Sequence, residues 1–162
     1  MRHPTGAAAA LLFLTWSLTA CSGTGGGLFE RCVPAEGATA STFDLEGSYT
    51  GSLDAEGVRL TLVTSPGEIG GKLTVQHWPT GKSFRSELGA SFDTTGTWQL
   101  EMASASVKHP VVRLYFDPPK PGLPTPDSLD RLSVGIDEKR TFLYDNADPD
   151  TCPDFRLQRH QG

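Results

Sequence analysis

Beyond its first twenty residues, this 162-residue chain has few side chains suited to chemistry: Cys21, Cys32 and Cys152, the histidines His77, His109 and His160, and an acidic stretch, Asp145-Asn-Ala-Asp148-Pro-Asp150-Thr-Cys-Pro-Asp154. A hydrolase needs a nucleophile with a base in reach, and the local signatures Gly-x-Ser-x-Gly, Ser-x-x-Lys and His-Glu-x-x-His do not occur. His109 precedes Pro110 and is biased to extended or loop backbone, and His160 is at the tail. Only His77, alternating with Leu73 and Val75, is expected on an inward face, as a core or rim histidine. The acidic stretch does not fit a calcium loop. Counted from Asp145, its sixth and twelfth positions hold Asp150 and Arg156, where glycine and a bidentate glutamate are required. It reads as an Asx-stabilised turn. No enzyme activity, cofactor or metal is expected.

Which elements carry these residues depends first on the leader. Arg2 and the amino terminus give a weakly positive start, followed by an apolar run from Ala7 to Trp16. That run is shorter than the roughly 20 residues that span a bilayer, as in a signal-peptide core. The segment ends Leu18-Thr19-Ala20-Cys21, which resembles the lipobox of bacterial lipoproteins. The resemblance implies that residues 1–20 are removed and that the Cys21 thiol carries a diacylglyceryl group. The partner would be the membrane, with the chain anchored on its extracytoplasmic side. An ordinary secretory cut after Ala20 would want small residues at alternate positions, which Leu18 does not supply. Ser22-Gly-Thr-Gly-Gly-Gly27 is flexible in composition, so residues 21–31 are expected to form a tether and residues 32–162 a single domain.

With Cys21 lipidated, Cys32 and Cys152 remain as an even pair in an oxidising compartment and are expected to bridge, tying the start of the domain to its end. The alternatives are two free thiols, or a metal site joining Cys152 to Asp148 and Asp150, but neither a Cys-x-x-Cys nor a histidine pair at ligand spacing supports the latter. The net charge is -5 and there is no run of Lys or Arg, which argues against nucleic acid as a partner.

From Leu45 onward apolar residues alternate with polar ones, as in half-buried strands. The inward sets are Val58, Leu60 and Leu62; Leu73, Val75 and His77; Phe84, Leu88 and Phe92; Trp98, Leu100 and Met102; Val112, Leu114 and Phe116; and Leu132, Val134 and Ile136. Shorter strands are expected near Thr141–Tyr144 and Phe155–Gln158, with an opening strand at Leu45–Gly51. Turns are expected at Asp54–Gly57, Pro66-Gly67, Pro79–Gly81, Asp93–Gly96 and Asp137–Lys139, and such short connections rich in Gly, Pro and Asp imply antiparallel neighbours. The fold class is therefore all-β, an antiparallel meander of about 8–9 strands. An up-and-down barrel is favoured over a two-sheet sandwich, which only the Pro-rich stretch Asp117–Asp127 could connect.

Gly47-Ser-Tyr49 resembles the Gly-x-Trp start of lipocalins, with Tyr in place of Trp. That resemblance implies a calyx barrel, and Tyr49, His77, Trp98, Phe116 and Tyr144 are the residues expected to line any ligand cavity. The same aromatics could instead fill a solid core. The functional expectation is a non-enzymatic envelope lipoprotein that binds a small apolar ligand or another envelope component. The alternative is a protein-interaction or structural module with no cavity. The Pro-rich stretch would serve as a connection, a lid or a rigid epitope.

Overall fold

The structure, a computed structural model, describes residues 32–33, 39–104, 109–123, 128–138, 140–145 and 151–160. The leader, Cys21, the tether, Asp148 and Asp150 lie outside them, as do residues 124–127 of the Pro-rich stretch.

Eight strands follow in order: β1 (Gly47–Leu53), β2 (Arg59–Thr64), β3 (Gly70–Pro79), β4 (Ser91–Glu101), β5 (Val111–Phe116), β6 (Arg131–Ile136), β7 (Thr141–Tyr144) and β8 (Phe155–Arg159). Each pairs antiparallel with the next, and β8 returns to β1 through Tyr49↔Arg159 to Leu53↔Phe155, closing an up-and-down barrel. Closure leaves no open sheet edge and gives the one-sided strands a common interior. Glycine permits neighbouring strands to approach closely. A Cβ on Gly71 would lie 1.9 Å from the Val63 carbonyl oxygen, and one on Gly96 2.0 Å from that of Tyr115, so neighbouring backbones approach too closely for any side chain.

The upper end of the barrel carries the β1–β2, β3–β4, β5–β6 and β7–β8 connections; the lower end carries the other three and the entry of the chain. Cys32 and Cys152 form a disulfide with Cα atoms 5.7 Å apart. Because Cys152 lies in the β7–β8 connection, the bridge is at the upper end. β8 then runs down to His160, whose backbone N–H donates to the Ser48 carbonyl. The bridge thus joins the domain's start to its last connection, and the final described residues lie at the opposite end. Val33 packs against Phe142 and Tyr144 on the outside of the barrel. At the lower end a one-turn helix, α1 (Thr42–Leu45), places Ala40 and Leu45 in the core. A capping box starts it: the Ser41 hydroxyl accepts from the Asp44 N–H, and the Asp44 carboxylate accepts from the Ser41 N–H at 2.9 Å.

Five expectations are corrected. Asp93–Gly96 is not a turn but part of β4, paired with β3 through Thr94, Thr95 and Gly96. Residues 84–90 are not strand: a 3₁₀ turn (Lys82–Phe84) leads into α2 (Arg85–Leu88), which ends at Gly89 with φ 81. Phe84 and Leu88, four apart, satisfy helical spacing as readily as alternation. Leu45 closes α1 and does not open β1. Met102 lies beyond the end of β4 and is exposed. His77 does not point inward. A bulge between Val75 and Trp78 inserts a residue into β3, so parity changes and Trp78 enters the core in its place. His77 itself is exposed, with φ 55, a left-handed conformation that histidine adopts more readily than most residues.

Candidate functional site

The five aromatic and histidine positions expected to line a cavity do not converge on one. Tyr49, Trp98 and Phe116 face the interior, where every strand contributes to one contiguous apolar core. An eight-stranded barrel is about wide enough to be filled by side chains, and Trp78 and Trp98, both wholly buried, occupy much of that width. The polar ends of the large residues are already engaged. The Tyr49 hydroxyl donates to the Leu45 carbonyl at 2.7 Å, Trp78 Nε1 to the Leu129 carbonyl at 3.0 Å, and Trp98 Nε1 to the Val63 carbonyl at 3.2 Å. Burial pushes the Tyr49 phenol well above its usual range, so the hydroxyl stays protonated as a donor. Phe116 belongs to an upper aromatic cluster, 5.5 Å from Trp78 and 5.6 Å edge-on to Phe92, while Phe155 meets Trp78 at 5.5 Å.

Tyr144 is buried but outside the barrel. On β7 it is Leu143 that points inward, and Phe142 and Tyr144 form a second cluster under Val33. Alternation on four apolar-rich residues cannot say which parity faces in when an outer face is also covered. His77 sits on the rim, its backbone N–H donating to Asp93 Oδ1 at 2.7 Å.

Three concave surfaces lie on the outside. One hollow of about 190 Å3 sits over β1, β2 and β3 and is lined by Ser48, Thr50, Arg59, Thr61, Thr74, Gln76 and His160, with the inward-facing Tyr49 and Leu60 beneath. Strand register explains its make-up. Ser48, Thr61 and Thr74 are direct cross-strand partners, and Thr50, Arg59 and Gln76 form a second row two residues along. The result is a grid of hydrogen-bonding side chains. Ser48 and Thr61 hydroxyls meet at 3.3 Å, and Thr50 Oγ1 lies 3.1 Å from His160 Nε2. A second hollow of about 590 Å3 continues from Thr50 and Arg59 toward Asp54, Glu56, His77 and Pro79 at the upper rim. A third, about 630 Å3, lies at the lower end between Ser65–Lys72 and Thr97–Gln99.

Arg59 is distinctive. Arg113 lies 3.6 Å from Asp130, Arg131 3.4 Å from Glu101 and Arg140 2.7 Å from Asp137, while Arg85, Arg156 and Arg159 each donate to an oxygen of the chain. Among the described arginines, Arg59 alone has a guanidinium with no such partner. The sequence placed it on an outward position of β2 but offered no sign that Thr50 and Gln76 flank it.

Among the described residues no group of three or more His, Cys, Asp or Glu side chains could hold a metal ion. No family model, curated protein or solved structure matches this chain.

Proposed function

We propose that this protein is a lipid-anchored envelope protein whose barrel is a solid, non-enzymatic module, recognising another envelope component with its outer surface. The observation that carries this reading is the interior: side chains of all eight strands meet in one core, and the hydroxyl and indole groups inside it bond to the barrel's own carbonyls. An apolar ligand would have to displace packed aromatics, at a cost of several kcal/mol each. The lipobox-like Leu18-Thr19-Ala20-Cys21 supports the anchor, and the bridge at Cys32 has the tether meet the barrel at its upper end.

Native mass spectrometry of protein extracted from membranes tests both halves. The expected species begins at a diacylated Cys21 and carries no stoichiometric apolar ligand. Unmodified Cys21 in the mature chain would overturn the anchor, and a retained lipid-like ligand released only on unfolding would overturn the solid module. Photo-crosslinkers placed on outward positions of intact cells should give discrete adducts, whereas inward positions should give none.

A further inference from the structure

We propose that the hollow over β1, β2 and β3 is a binding site for an anionic saccharide, a polyhydroxylated ligand bearing a carboxylate or a phosphate. This deepens the preceding reading by assigning the outer-surface recognition to one site and one ligand class.

A barrel's outer face is convex, so a hollow there needs short side chains surrounded by long ones. Ser48, Thr61 and Thr74 supply the floor in one cross-strand row; Arg59, Gln76 and His160 are the longer side chains around it. Hydroxyls both donate and accept, as sugar hydroxyls do, and the glutamine amide offers two donors and an acceptor. Within a row, neighbouring strands are about 4.8 Å apart, which presents these groups as a regular array to a rigid ring. The sign of the ligand's charge comes from Arg59. Its planar fork suits a carboxylate or phosphate, and it is within salt-bridge distance of no described carboxylate, unlike Arg113, Arg131 and Arg140. Asp54 and Glu56 line the adjoining hollow above Arg59, so the anionic group is directed to the opposite side, toward Gln76 and His160. The side chains that project around the hollow are polar, and the apolar Tyr49 and Leu60 beneath them turn into the core.

The test uses the full lipidated chain in detergent micelles and three probes of matched length: a hexuronate oligosaccharide, a phosphorylated oligosaccharide and a neutral one. Amide shifts on titration locate the site and calorimetry gives affinity. Both acidic probes should perturb β1, β2 and β3 and bind at least about tenfold more tightly than the neutral probe, the size of one charge-assisted hydrogen bond. The tighter of the two tells which anion the site prefers. Arg59→Gln should abolish the preference, Thr61→Val should weaken both acidic probes, and Arg131→Gln, whose arginine is already paired, should change neither. Equal affinity for the neutral probe, shifts elsewhere on the barrel, or an Arg59→Gln variant that binds like the wild type would overturn the site. Crosslinks in intact cells that survive in Arg59→Gln would likewise sink this site, while leaving the solid-module reading standing.

Discussion

The two ends of the barrel are closed by different means. At the upper end the strands close themselves: Trp78, Phe92, Phe116 and Phe155, from four different strands, form a ring-on-ring cluster, and Trp78 is fastened to the β5–β6 connection through the Leu129 carbonyl. At the lower end the closure is borrowed from the segment before β1. Ala40 and Leu45 enter the core, Tyr49 bonds back to Leu45, and Arg159 Nη1 donates to the Asp44 carbonyl at 2.6 Å. That same segment is covalently held at the opposite end through Cys32. A closure made of strand side chains has the whole sheet's cooperativity behind it, whereas a short preceding segment depends on a few contacts and its covalent tie.

The sharpest way to break this comparison is to remove the tie. Bridging residues 120 apart contributes up to about 5 kcal/mol by restricting the unfolded chain, so Cys32→Ser with Cys152→Ser should show a loss approaching that in denaturant titrations. Hydrogen exchange in that variant should rise around Val33, Ala40 and α1 before it rises near Trp78. Equal loss at both ends would erase the distinction. Trp78→Ala should cost about 3–5 kcal/mol and melt the upper end together with the sheet, seen as a single cooperative transition. Leu45→Ala should cost about 2–5 kcal/mol, with the excess exchange confined largely to the lower end. Tyr49→Phe, which only removes the donor to the Leu45 carbonyl, is smaller, about 1 kcal/mol, read as a shift in denaturation midpoint.

The smallest effects are electrostatic and opposite in sign. Asp44 is held below the usual carboxylate range, chiefly by the Ser41 hydroxyl and then by its N–H, with Arg159 a lesser contributor. Its ionised form is favoured by folding, so its contribution is present above the ordinary aspartate range and fades as pH falls through the lowered value. Asp145, at the upper end, is raised by desolvation, so folding disfavours its charge and stability is lost as pH rises through that range. Asp44→Asn should flatten the acid limb of a stability–pH curve, and Asp145→Asn should raise the neutral plateau slightly. Effects of the same sign at both positions would show that the two ends do not differ in this respect.

Much of this architecture was legible in single residues. Alternation located all eight strands, because a half-buried strand in an antiparallel sheet must alternate, and turn residues located most of their short connections, though Asp93–Gly96 lies within β4. It failed where a second rule competed. At Phe84 and Leu88 spacing of four admits a helical turn; at His77 an inserted residue changed parity; at Phe142 and Tyr144 the outer face was apolar because another part of the chain covers it.

The sequence by itself determined the all-β class, the meander, and the pairing of Cys32 with Cys152 once Cys21 is set aside, since periodicity and cysteine parity are properties of one chain read locally. Only the tertiary structure decided that Tyr49, Trp98 and Phe116 enter the core while Tyr144 does not, that the disulfide lies at the end away from His160, and that Ser48, Thr61 and Thr74 stand abreast beside Arg59. Register and packing are relations between strands far apart in sequence. A shift of one residue turns a side chain from the core to the surface, and no periodicity within a single strand records which neighbour it will meet.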